Sequence, residues 1–350
     1  MANDKIEARI TLYNISQAGL YERGEKDPIF GDLSIFLKDL KAWVSGKTLN
    51  KTCTYACLDE DELKTFCYDI QEGIQGHYLL ITWNKVSSFS NSVAAVSGTS
   101  KVGEADIKTT SHGLDDIPGF PTYFWIMPDQ NKFAAITFDY SQNGRQDLNR
   151  YLREFFGKLS GYVVKKTDEE GKKVIQHFKD PKGTETYPML YGKFDAKLVV
   201  NPGKVQYLLN NWKDIRKVYR HNEMSISEMI KLPRVATLGK WIGMNCESKK
   251  TSAIKFKLEA DMIFNNKEEL QSVIDEWDQI QNPTKWENLG FGMLGNTQKP
   301  IWLSASRAID TFNCPLERDS KQLFKSKDLV QWLDSITPKI LKLEEKNENN

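Results

Sequence analysis

The sequence predicts an α+β protein of two domains, with largely antiparallel sheets packed by helices. Three observations carry this expectation. Apolar residues alternate with period two in several short segments, as half-buried strands require. In other segments they recur at helical spacing. The two kinds are interspersed without the strand–helix–strand rhythm of a parallel sheet, and 350 residues suit two domains better than one.

The elements follow in order. "KIEARITLYNI" alternates Ile6, Ala8, Ile10 and Leu12 and predicts a strand. "DLSIFLKDLKAWV" spaces Leu33, Phe36, Leu37, Leu40 and Val44 as one face of a helix. "TYACLDEDELKTFCYDI" can hold a strand and a turn, and "GHYLLITWNKV" predicts a strand. "SSFSNSVAAVSGTSKVGEADI" is small and polar and predicts loop with short extended pieces. "FPTYFWIM" and "FAAITF" are aromatic and β-branched, separated by the turn residues "PDQNK", which predicts a hairpin. "GRQDLNRYLREFFGKL" places Leu148, Tyr151, Leu152, Phe155 and Leu159 on one helical stripe.

A charged stretch with Gly171, Pro181 and Gly183 follows, including "VVKKTDEEGKKVIQHF", a hairpin turning at Glu170–Gly171. The domains expected are 1–165, built around the central hairpin, and 166–350, which is basic. "YGKFDAKLVVN" predicts a strand, and "PGKVQYLLNNWKDIRKVYR" a helix over 204–220. "SISE" at 225–228 matches a capping box. "AIKFKLEADMIF" predicts a strand, "NKEELQSVIDEWDQI" a helix with Leu270, Val273, Ile274 and Trp277 inward, and "SKDLVQWLDSITPKILKLEEK" a last helix.

Charge is uneven along the chain although the net is only +1. Residues 201–260 hold twelve Lys/Arg against five Asp/Glu, a net of +7, between segments that are acidic or weakly basic. On the expected helix Lys213, Arg216, Lys217 and Arg220 share one outward arc beside Trp212, and Lys204 lies at its start. Lys255 and Lys257 share a strand face. These seven residues are the candidate nucleic-acid contacts. Nearby Tyr207, Trp212 and Tyr219 suit some stacking, and duplex DNA is the expected partner.

Other chemistry lacks its motif. No phosphate loop, HExxH, GxSxG or dinucleotide fingerprint occurs. Lys257, Glu259 and Asp261 fall on one strand face, but their order differs from the usual acid, then acid-x-lysine pattern of metal-dependent nucleases. Cys53 and Cys57 have metal-ligand spacing without a second ligand pair, so buried thiols are expected among Cys53, Cys57, Cys67, Cys246 and Cys314. His112, beside Gly113 in "TSHG", reads as a surface histidine. No catalytic residue, metal or cofactor is expected. The first residues lack a basic region followed by an apolar one, and no apolar run is long enough for a membrane helix, so a cytoplasmic protein is expected.

The segment "GFPTYFWI", preceded by acidic residues and followed by a hairpin, resembles the Rex exclusion protein A family of phage lambda. "DLSIFLKDL", "GHYLLITW", "FGKLSGYVV" and "YGKFDAKLVV" are similar to successive parts of that family, over roughly residues 5–280. The chain departs from it by being longer, through "NPTKWENLGFGMLGN" and the last helix. The resemblance implies a non-enzymatic, two-domain, homodimeric DNA-binding protein. It would act as a sensor in prophage-encoded exclusion of other phages, with a separate membrane effector and no membrane insertion of its own. On either reading Phe120, Tyr123, Phe124, Trp125 and Phe133 are expected mostly in the core.

Overall fold

In the computed structural model the described residues are 6–56, 63–86, 94–108, 113–138, 144–180, 183–199, 202–225, 253–278, 288–303, 308–318 and 323–344. The fold is α+β, with antiparallel strands in three sheets. Contacts divide the chain into two units. The first is 1–199 with 308–344, and the second is 200–307.

The strands of the first unit are β1 (Ile6–Tyr21), β2 (Thr65–Glu72), β3 (Tyr78–Lys85), β4 (Ala95–Ser97), β5 (Ile107–Lys108), β6 (Asp116–Met127), β7 (Lys132–Thr137), β8 (Val163–Thr167), β9 (Lys173–Lys179), β10 (Thr186–Tyr187), β11 (Tyr191–Leu198) and, later in the chain, β16 (Ile309–Cys314). Its helices are α1 (Leu33–Val44), α2 (Arg145–Lys158) and α5 (Ser326–Leu341). The main sheet runs β11-β1-β7-β6-β3-β2. β16 pairs with the first half of β1, and the short β4 pairs with β5 and with the start of β6. β8, β9 and β10 form a separate small sheet.

Both faces of the main sheet are covered, which explains why β3 is buried at every position from Tyr78 to Asn84 and mostly apolar there. Leu79, Ile81 and Trp83 of β3 and Tyr123, Trp125 and Met127 of β6 join one core, with Leu329, Leu333, Ile336 and Ile340 of α5. The intervening Tyr78, Leu80, Phe124 and Ile126 join a second core with α1 and α2. Asp32 caps α1 by accepting from the Ile35 N–H at 3.2 Å. The hairpin expected around "PDQNK" is β6–β7, and Asn131 closes its turn in the left-handed region at φ 48°.

The "GFPT" segment is structural. Pro121 lies opposite Trp83 in the β3–β6 ladder, outside the stretch Tyr123–Met127 that pairs with β7. Its missing N–H therefore breaks no bond to β7. Gly119 sits so close to β3 that a Cβ there would lie 2.2 Å from the Asn84 carbonyl oxygen. Of the aromatic residues expected inside, Tyr123, Phe124, Trp125 and Phe133 are buried, while Phe120 is half-buried.

The second unit contains α3 (Pro202–Asn210), β12 (Ile215–Ser225), β13 (Ala253–Asp261), α4 (Lys267–Asp278), β14 (Asn288–Met293) and β15 (Asn296–Trp302). Its sheet runs β13-β12-β14-β15. Both β13 and β14 are antiparallel to β12, so the β13–α4–β14 crossover straddles the central strand, a split β-α-β arrangement. Leu208, Leu209, Ile215, Phe264, Leu270, Ile274, Trp277, Leu289 and Phe291 make its core.

Two expectations change. The boundary expected between 165 and 166 falls inside the first unit, because β8 to β11, β16 and α5 all belong there. The second unit is an insertion: Val199 N donates to Leu12 O, Leu12 N to Ala308 O and Ala308 N to Val199 O, so the chain leaves and rejoins the first unit at adjacent points on β1. The helix expected over 204–220 also ends early. Asn210 and Asn211 are turn formers, and Asn211 Nδ2 donates to Tyr207 O at 2.8 Å, closing α3. A single 3-10 turn, Trp212–Asp214, leads into β12, where Ile215, Val218 and Tyr219 favour a strand. The match at 225–228, His112, Cys57 and Cys246 lie outside the described residues, apart from the backbone of Ser225 at the end of β12.

Candidate nucleic-acid interface

Strand pairing decides which side chains of the second unit share a face. Lys217 is opposite Asp261 and Gly292, Tyr219 is opposite Glu259 and Gly290, and His221 is opposite Lys257 and Asn288. Trp302 pairs with Gly290. These residues form the face turned away from the α3–α4 core, since side chains alternate along a strand. Val218 and Phe291 occupy the other face.

The outward face has an aromatic centre. The Trp302 ring lies 4.4 Å from His221 and 6.2 Å from Tyr219. It covers Gly290, where a Cβ would meet the ring at 2.7 Å. The Tyr219 hydroxyl donates to Thr297 O at 2.9 Å. Burial, and then the positive charge of Lys257, lowers the pKa of His221 from its ordinary value. At one side Lys217 Nζ donates to the Glu259 carboxylate and lies 3.8 Å from Asp261. The Glu259 hydrogen bond raises the Lys217 pKa and keeps the ammonium charged.

The structure does not gather the seven expected contacts into one stripe. Lys204 is half-buried on α3. Lys213, exposed, lies 5.5 Å over the Trp212 ring. Arg216 Nη1 donates to the carbonyls of Lys213 and Ile215, at 2.6 and 2.9 Å. Lys217 is paired with carboxylates, and Arg220, exposed, projects from the opposite face of β12. Lys257 is exposed on the Tyr219 face, and Lys255 is placed by its backbone opposite Glu223. The shared arc of Lys213, Arg216, Lys217 and Arg220 is thus corrected, because a two-residue repeat replaces the helical one. Five more cations of the basic window, Lys231, Arg234, Lys240, Lys249 and Lys250, lie outside the described residues.

Lys257, Glu259 and Asp261 do share a strand face, as their spacing requires. Among the described residues no group of three or more His, Cys, Asp or Glu is placed to hold a metal ion. The aromatic centre was missed in the sequence because Trp302 meets Tyr219 and His221 only through the β12–β14–β15 pairing. The one available signal was Gly290, a strand glycine that marks a close approach.

Comparison with protein-family models, with curated proteins and with solved structures finds no match for this chain. No helix among the described residues is long and apolar enough to cross a membrane.

Proposed function

We propose that this protein binds duplex DNA without preference for base sequence, through basic residues of its second unit, and performs no chemistry on it. The observation that supports this reading is the net of +7 over residues 201–260, with Lys213 and Arg220 exposed. Phosphate contact needs only such charge and carries no base information. The resemblance of "GFPTYFWI" to the Rex exclusion family adds a setting: a cytoplasmic homodimer that senses infection in phage exclusion and signals to a separate membrane effector. The test is binding to several unrelated duplexes between 50 and 200 mM salt. Affinity should be similar for all of them and fall by about 10³ or more if six phosphates are contacted. Absent binding at low salt, or binding that is flat across this range, overturns the reading.

A second reading, a metal-dependent nuclease, is favoured by the shared face of Lys257, Glu259 and Asp261. It requires cleavage of the same duplexes when magnesium is added. Intact DNA after prolonged incubation with magnesium removes it.

A further inference from the structure

β13 is an edge strand. Among the described residues it pairs only with β12. Lys257, Leu258, Glu259, Ala260 and Asp261 are exposed in succession, so neither face of the strand is covered there. Leu258, which lies opposite Arg220, is 56% exposed. The backbone places its bonding groups accordingly. Just past the strand, Met262 N donates to Arg216 O at 3.0 Å. Amides alternate along a strand, so those of Lys257, Glu259 and Asp261 turn toward the open edge.

An open edge can pair with another chain, and lysines on an edge normally oppose this. The order of charges on β13 does the reverse. One face reads Lys255, Lys257, Glu259, Asp261, two positive and then two negative, centred on Leu258. Two such strands can pair antiparallel about a twofold axis at Leu258. Lys257 then lies opposite Glu259 of the second copy and Lys255 opposite Asp261 of the second copy, with the same pairs repeated in reverse. Every charged pair across the seam is of opposite sign, which stabilises strand pairing. A slip of two residues sets Lys257 against Lys257, or Glu259 against Glu259, so the charges also select the register. In the favoured register Lys257 and Glu259 of the second copy exchange both backbone hydrogen bonds, and Leu258 packs on its own copy across the axis. Lys217 already meets Glu259 and Asp261 from the β12 side, but their side chains remain 50% and 88% exposed, which leaves room for a lysine from the open edge.

We propose that β13 pairs antiparallel with β13 of a second copy of this chain, centred on Leu258, joining the two second-unit sheets into one. A second copy is the fitting occupant because the charge pattern complements itself. Such pairing needs no DNA, and it gives the homodimer proposed above a surface.

The test is sedimentation velocity on the whole chain at concentrations up to about 100 μM, because a single strand pair is a small contact and gives a weak dimer. Lys257→Glu and Glu259→Lys are measured separately and as an equimolar mixture with one of them labelled. Separately, each variant sets like charges against each other at both central pairs, and its dimer Kd should rise by about tenfold or more. Mixed, each supplies the charge that the other lost, so the dimer should return with one copy of each. Lys257→Pro is a second probe. Its N–H turns to the open edge, so the ladder with β12 survives while the seam loses bonds. Its melting temperature should match the wild type and its dimer should be weaker. A wild-type chain that stays monomeric overturns the pairing and the homodimer together and leaves DNA binding standing. A dimer that none of the three substitutions weakens overturns this surface and leaves the homodimer. Charge variants that dissociate separately and do not recover on mixing also overturn it.

Discussion

Trp125 donates its indole N–H to Thr337 Oγ1 at 2.9 Å, joining β6 to α5 across 212 positions of sequence. Both residues are buried, Trp125 at 0% exposure. The bond ties the last helix to the centre of the main sheet, where Leu329, Leu333 and Ile340 surround it. Thr337→Val keeps the shape and removes the acceptor, leaving a buried N–H without a partner. The expected cost is about 1–3 kcal/mol. Trp125→Asp puts an unpaired carboxylate in an apolar core and costs several kcal/mol, a large share of a typical stability of about 5–15 kcal/mol. Thermal melting checks both: a clear fall for Thr337→Val, and loss of the folded first unit for Trp125→Asp. A soluble Trp125→Asp variant with an unchanged transition contradicts this account of the core.

His77 gives the first unit a pH dependence. It is buried, its ring packs edge-on against Trp125 at 5.5 Å, and its Nδ1 has no hydrogen-bond partner among the described residues. Burial lowers its pKa below 6.5, and the charges of Asp334 and Asp129 oppose the shift without cancelling it. The unfolded chain therefore takes up the proton first as pH falls. The contribution of His77 is complete above the unfolded value of about 6.5 and is lost as pH drops from there through the lower folded value. Urea midpoints measured from pH 7.5 down to 5 should fall for the wild type and fall less for His77→Gln. Parallel curves for the two proteins would assign the pH dependence to other groups.

Gly119 is tested by a single methyl group. A Cβ there meets the Asn84 carbonyl oxygen at 2.2 Å and Trp83 Nε1 at 2.8 Å. Trp83 cannot withdraw freely, because its indole donates to Ile117 O at 3.0 Å. Gly119→Ala must push β3 and β6 apart, and overpacking of this kind costs about 1–3 kcal/mol. Chemical denaturation should show a lower midpoint with an unchanged slope. A variant as stable as the wild type would mean that the two strands separate easily at this point.

How far the sequence reached depended on whether the deciding contacts are local. The β6–β7 hairpin was legible because its turn residues and flanking aromatic residues lie within one short segment. The helices α1, α2, α4 and α5 were legible from their apolar stripes. The position of α5 was not, since nothing in "SKDLVQWLDSITPKIL" says that Leu333 and Ile336 cover the face formed by Leu79, Trp83 and Trp125. Nor does any local signal tell Val199 and Ala308 that they meet on β1. The segment after Asn211 misled for a different reason. Val205, Leu208, Leu209 and Trp212 keep helical spacing, and Ile215 and Tyr219 continue it by coincidence of position while their chemistry favours a strand. Every candidate contact beyond Asn211 on that helix moved with this error.

The corrected placement of those contacts changes what their removal should do. A common helical arc would have made Lys213, Arg216, Lys217 and Arg220 equal partners. In the strand, Lys217 is engaged by Glu259 and Asp261, and Arg216 is tethered to two carbonyls. Lys213 and Arg220 are the exposed pair. Each phosphate contact contributes about 0.9 to the salt slope. Lys213→Gln with Arg220→Gln should therefore lower the slope by about 1.8, and Lys217→Gln alone should leave it unchanged. Glutamine replaces no buried group at these positions, so circular dichroism should match the wild type for each variant. The informative reversal is a Lys217→Gln variant whose slope falls by about 0.9. That outcome would mean that Lys217 leaves Glu259 for a phosphate on binding, and it would move the interface to the face that carries Tyr219, His221 and Trp302.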